Sequence, residues 1–118
     1  MAITGAHVLF YTPEAEGLRE VLGDVFGLPH VDAGDGWPIF ALPPAELAVH
    51  PAGEARHELT LMCDDITATM DELRARGVSF NGAPEAHSWG VSVVMALPGG
   101  VDVLLYEPHH PLAHAQRG

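Results

Sequence analysis

The chain has 118 residues, 47 % of them hydrophobic, which fits a single domain spanning 1–118 and excludes disorder as the main state. Sixteen Asp and Glu stand against five Arg, with no Lys, for a formal charge of −11. That balance argues against nucleic acid or an anionic membrane as a partner, since both need a basic face, and it removes lysine-dependent chemistry.

Cys63 is the only cysteine, so an intramolecular disulfide framework is excluded. No apolar run approaches the ~20 residues that span a bilayer. The stretch Met1 to His7 has neither the basic stretch nor the long apolar core of a signal peptide, and the expectation is a cytoplasmic protein.

Residues 6–11 alternate as a strand, with Val8 and Phe10 facing one way and His7, Leu9 and Tyr11 the other. Thr12-Pro13-Glu14 then reads as a helix start, with a Thr cap, Pro in the first turn and an acid beside it. Leu18, Val21, Leu22, Val25 and Phe26 form an apolar stripe at helical spacing, ended by Gly27. Extended runs follow at about 29–33, 37–42 and 46–50, separated by Ala33-Gly34-Asp35-Gly36 and by Pro43-Pro44.

The same order returns after a linker at about 51–56. Residues 57–63 read as a strand. Asp64-Asp65 caps a helix with the stripe Ile66, Met70 and Leu73, basic residues Arg74 and Arg76 in its last turn, and Gly77 as its stop. Strands are expected at about 78–81, 90–96 and 101–106, the last two joined by Pro98-Gly99-Gly100. The wording also recurs. Trp37, Ala41-Leu42-Pro43-Pro44 and His50-Pro51 in the first half parallel Trp89, Ala96-Leu97-Pro98-Gly99 and Glu107-Pro108 in the second. The chain is thus an internal repeat: module 1 at about 5–51, module 2 at about 57–108 and a tail at 109–118. The fold class is α+β, with two tandem βαβββ modules forming a curled, partly open sheet and helices on its outer face. The bare faces of the half-sheets line a shared cleft.

With this arrangement the chain resembles the vicinal oxygen chelate superfamily, which includes glyoxalases, bleomycin-resistance proteins and extradiol dioxygenases. The carriers are His7 ahead of the Pro-Glu helix start and Val25-Phe26-Gly27-Leu28. In the second half they are Glu58 to Ile66, Leu73 with Gly77-Val78, and Leu97-Pro98-Gly99-Gly100. The resemblance covers residues 5–108. It implies a small organic molecule in the cleft, a homodimer, and in metal-using members a divalent ion (Fe, Mn, Zn or Ni) held by the first and last strands of each module.

By that resemblance His7 matches one ligand position and Glu58 a second, while Leu104 and Ala48 stand where relatives place further ligands. Strand alternation puts Glu46 and His50 on the same face as Ala48. The metal set is therefore His7, His50 and Glu58, two imidazoles and a carboxylate. The alternative is a metal-free hydrogen bond between His7 and Glu58. Glu46 and Tyr106 are the candidate catalytic side chains. Tyr11, Trp37, Thr60, Met62, Trp89, Leu104 and Tyr106 are the candidate ligand contacts, a lining suited to a flat organic ligand.

Cys63 falls on the helix-facing side of its strand and reads as a structural thiol. His109, His110 and His114 lie in the tail, where disorder is the expectation. Two functions follow. One is a metal-dependent lyase, isomerase or dioxygenase acting on a small oxygen-bearing substrate. The other is a metal-free drug-sequestering protein, favoured by the aromatic residues and the negative charge.

Overall fold

The computed structural model describes residues 7–46, 48–49 and 51–112. The elements in chain order are α1 (Ala15–Glu20), which runs on as a π-helical turn over Val21–Val25, β1 (His30–Asp32), β2 (Pro38–Phe40), β3 (Thr60–Met62), α2 (Ile66–Ala75), β4 (Ser79–His87), β5 (Gly90–Leu97) and β6 (Val101–Pro108). None of the helices among the described residues is long and apolar enough to cross a membrane.

Module 2 has the complete βαβββ order. Its four strands lie in the order β3-β6-β5-β4, with β3 parallel to β6 and the other neighbours antiparallel. Along β5 the odd-numbered Val93, Met95 and Leu97 are buried towards the helices, together with Val103 and Leu105 of β6. Ile66, Met70 and Leu73 of α2 close that core, as the helical spacing of these residues requires. Asp65 caps α2 by accepting from Ala68 N at 3.1 Å. A second carboxylate reaches the same helix end from the sheet: Glu107 Oε1 accepts from Ile66 N at 2.9 Å.

Module 1 is packed onto the core of module 2. Leu18 is fully buried in that core, with Phe10, Val21, Leu22, Val25 and Phe26 half-buried against it. Thr12 does not cap α1 as the sequence suggests; the cap position is Glu14, which has no side-chain cap bond. Thr12 Oγ1 instead accepts from Glu14 N and donates to Gly99 O at 3.3 Å. Its hydroxyl therefore ties the entry to α1 to the β5–β6 turn. Gly99 has φ +78°, and a side chain there would run into Thr12. Both reasons require glycine.

The remaining strands of module 1 are partly as expected. β1 and β2 form a hairpin, with His30 opposite Phe40 and Asp32 opposite Pro38. It closes through Ala33–Gly36, where Asp32 Oδ1 accepts from Gly34 N at 2.7 Å. Residues 7–11 carry no strand pairing, nor do 48 and 49. Alternation specifies an extended segment and the side each residue takes, but not the strand that will pair with it. His50 lies outside the described residues.

Candidate functional site

The face of the module 2 sheet turned away from α2 carries two rows of side chains, set by strand register. One row runs Asn81, Val94, Leu104, Thr60 and the next Glu85, Ser92, Tyr106, Met62, each read across β4, β5, β6 and β3. Over this face lies the chain between β2 and β3. The two surfaces enclose a cleft of about 920 Å³, lined on one side by Thr60, Met62, Leu104 and Tyr106, and on the other by Leu42, Pro43, Pro44, Ala45 and Glu46 and by residues 52–58. A second lobe of about 400 Å³ continues towards β4, sharing Glu58, Trp89 and Leu104 with the first.

A row of rings follows the rim. Trp89 sits at the two-residue β4–β5 turn, its indole stacked on the His87 ring at 4.3 Å and 6°. The Tyr106 ring meets Trp89 edge-on at 5.2 Å, and the His110 ring lies 5.8 Å from Tyr106. The backbone holds this row in place. Trp89 O accepts both from Tyr106 Oη at 3.1 Å and from His109 N at 2.8 Å. The tail is therefore held against the sheet at His109 and His110, where the sequence suggested disorder. Glu107 Oε2 accepts from His109 Nε2 at 2.7 Å, and His110 Nε2 lies 4.0 Å from Glu46 Oε1. His114 lies outside the described residues.

Burial, and then the nearby Glu46 carboxylate, push the Tyr106 phenol above its ordinary value. At neutral pH it is a hydrogen-bond donor and not a base. The His109 hydrogen bond, then the Ile66 amide, hold the Glu107 carboxyl below its ordinary value. Burial pushes the Cys63 thiol up, in keeping with an inert structural cysteine. In the cleft wall Arg56 Nη1 lies 3.1 Å from Glu58 Oε2. Both groups are exposed, so this pair adds little stability.

The expected site residues divide into three groups. Glu46, Glu58, Thr60, Met62, Trp89, Leu104 and Tyr106 all line the cleft. Tyr11 is exposed, and Trp37 is covered on one face by the Arg19 guanidinium at 4.9 Å; neither lines a lobe. His7 is exposed and also lines neither lobe, while His50 is outside the described residues. Among the described residues no three His, Cys, Asp or Glu side chains converge as a metal cage. The residues that the sequence reading missed are Asn81, Glu85, His87, Ser92 and His110. Alternation along β5 places Ser92 on the same face as Val94, and this signal was available. Asn81 and Glu85 share a face by parity, but the sequence places this strand at about 78–81, whereas β4 runs on through a bulge to His87.

No protein-family model matches the chain, and no curated protein is a significant match. Solved structures do match. TnmS3, an antibiotic binding protein from Streptomyces sp. CB03234, is 24 % identical with a TM-score of 0.66, over 92 % of this chain and 98 % of that one. A glyoxalase/bleomycin resistance protein/dioxygenase superfamily member from Sphaerobacter thermophilus DSM 20745 is 19 % identical with a TM-score of 0.61, over 90 % and 98 %. Lactoylglutathione lyase from Agrobacterium tumefaciens is 16 % identical with a TM-score of 0.62, over 90 % and 95 %. The α+β architecture, with a complete βαβββ order in the second half, agrees with these likenesses: the chain has the vicinal oxygen chelate fold seen in glyoxalase/bleomycin resistance protein/dioxygenase structures.

Proposed function

We propose that the chain is a small-molecule-binding protein that holds a planar aromatic ligand in the cleft, stacked against the rim of rings. The observation that carries this reading is the row His87, Trp89, Tyr106 and His110 along a cleft of about 920 Å³. Ring faces bind flat π-systems through dispersion and quadrupole contacts, and a cleft of this size suits a drug-sized molecule. Leu42, Met62 and Leu104 supply apolar contact. Glu46 provides an acceptor, and the Tyr106 oxygen, whose proton goes to Trp89 O, keeps lone pairs for a ligand donor; both help to fix orientation. The description of TnmS3 as an antibiotic binding protein is in keeping with this reading.

The test uses a neutral bicyclic fluorophore, N-butyl dansylamide, and a Trp37→Phe variant that leaves Trp89 as the sole indole. Trp37 lines neither lobe, so the substitution leaves the cleft intact. Binding at the rim gives saturable energy transfer from Trp89 to the dansyl group. An absence of saturable transfer contradicts the reading.

We further propose that the protein acts as a homodimer. Outside the cleft, Val8, Leu9, Tyr11, Val31, Trp37, Ile39 and Val49 are exposed in the first half, whereas among the described residues of the second half Trp89 is the one exposed large hydrophobic. Residues 7–11 carry no strand pairing. An apolar surface beside an unpaired segment suits a second copy of the same chain. Light scattering reports this directly: a dimer mass for the native chain, and a monomer mass once Val8 and Leu9 are both replaced by Asp. A monomeric native chain contradicts the proposal.

A further inference from the structure

The second lobe has an origin of its own. In β4 the pairs Asn81 with Val94 and Glu85 with Ser92 leave three residues, Gly82 to Pro84, opposite Val93 alone. Such a bulge bows the strand away from its neighbour. It is enabled by Gly82 at φ +82° and tolerated because β4 is an edge strand, where Pro84 needs no ladder partner. The space opened is the lobe of about 400 Å³.

Its floor contains Ser92. This side chain is 7 % exposed, the one buried polar residue among those described, and its hydroxyl makes no hydrogen bond to any described residue. A buried hydroxyl without a partner is uncommon in a folded protein and costs stability unless something fills the position. Its cross-strand neighbour Tyr106 gives its own hydroxyl to Trp89 O. On the other side lies Glu85. Asn81 and Glu58 line the same lobe, and no Arg does.

From this we infer that the bulged lobe is a subsite for a protonated amine carried on the ligand that stacks at Trp89. The inference rests on the aromatic reading of the adjoining cleft and deepens it. An ammonium group brings three N–H donors and no acceptor. The Ser92 hydroxyl has no partner among the described residues, the Glu85 carboxylate is 77 % exposed with only His87 near it at 3.8 Å, and Glu58, which accepts from Arg56 through Oε2, keeps further lone pairs. The surrounding charge has the right sign at Glu85: Arg56 offsets Glu58, but no Arg lines the lobe, and the Glu85 carboxylate has only the His87 ring, Nε2 at 3.8 Å, beside it. Trp89 and Leu104 belong to both lobes, so one ligand spans them, ring in the first and amine in the second.

The experiment has two parts. In amide NMR spectra, n-pentylammonium produces saturable shifts at Asn81, Glu85, His87 and Ser92, and n-pentanol does not. Glu85→Gln and Ser92→Ala each weaken the amine by about three- to tenfold, the loss expected for a charge-assisted hydrogen bond. Equal shifts with both compounds, or an affinity unaltered in both variants, overturns the inference. In the Trp37→Phe protein, dansylcadaverine (the same ring with a terminal amine) binds about tenfold more tightly than N-butyl dansylamide. That margin falls towards one in Glu85→Gln. If the neutral probe binds at Trp89 and the amine adds nothing, the amine subsite is refuted and the aromatic cleft stands. If pentylammonium shifts the lobe while neither dansyl probe binds, the aromatic cleft is refuted and the amine subsite stands.

Discussion

Trp89→Ala is the sharpest perturbation of the cleft. Trp89 is 43 % exposed, which leaves surface for a ligand to meet. A ligand ring that covers about 60 Å² of that surface loses about 1.5 kcal/mol of apolar contact on truncation, at about 25 cal/mol per Å². The geometric preference of an aromatic pair adds about 1 kcal/mol. The sum of about 2.5 kcal/mol corresponds to a rise in Kd of roughly 70-fold. The backbone of the turn is expected to survive, because Tyr106 Oη and His109 N bond to the Trp89 carbonyl and not to its ring. Calorimetry with N-butyl dansylamide measures the effect without relying on an indole signal, and circular dichroism verifies the fold. A Kd within about threefold of the native value, in a folded variant, refutes the stacking account.

Other expectations concern the scaffold. Met95 is completely buried in the core, so Met95→Ala lowers unfolding stability by about 3 kcal/mol, measured by urea titration. Leu18 and Phe10 of the first half pack into that same core, so we propose that the chain is one cooperative domain; a single transition by both fluorescence and circular dichroism supports this, and two resolved transitions contradict it. Gly99→Ala loses at least about 2 kcal/mol, because the left-handed backbone and the Thr12 contact both oppose a side chain. Glu107 has a folded pKa below its ordinary value, so its contribution is present above the ordinary carboxylate range and is lost as pH falls through the lowered value. The melting-temperature advantage of the native chain over Glu107→Gln therefore shrinks on acidification, and an advantage that is constant with pH contradicts the assignment.

Much of the second module follows from residue pattern. The alternation of Val93, Met95 and Leu97 against Ser92, Val94 and Ala96 sets which side of β5 meets the helices, and the Ile66, Met70 and Leu73 stripe supplies the complementary surface. Both are local periodicities with one solution when one face must be buried. The cleft contacts Thr60, Met62, Leu104 and Tyr106 came from the same parity. The first module was less readable. Residues 7–11 alternate as a strand does, but a strand also needs a partner, which pattern alone does not identify. Tyr11 was placed by that parity, and Trp37 by its equivalence to Trp89, but the halves are not equivalent: Trp89 ends a tight turn over the sheet, while Trp37 lies under Arg19 beside the hairpin. The polar lobe was hidden for a different reason. A three-against-one bulge adds two residues to β4 and leaves Asn81 and Glu85 on one face, as alternation has it, but it carries the strand on to His87, past the end that the sequence places at about residue 81.

The chain has two tryptophans and so two indole N–H signals in a nitrogen-correlated NMR spectrum, assigned by the loss of one in Trp37→Phe. Titration with N-butyl dansylamide is predicted to move the Trp89 signal progressively to saturation and to leave the Trp37 signal in place. A titration that moves Trp37 alone, or neither, contradicts an aromatic ligand site at Trp89.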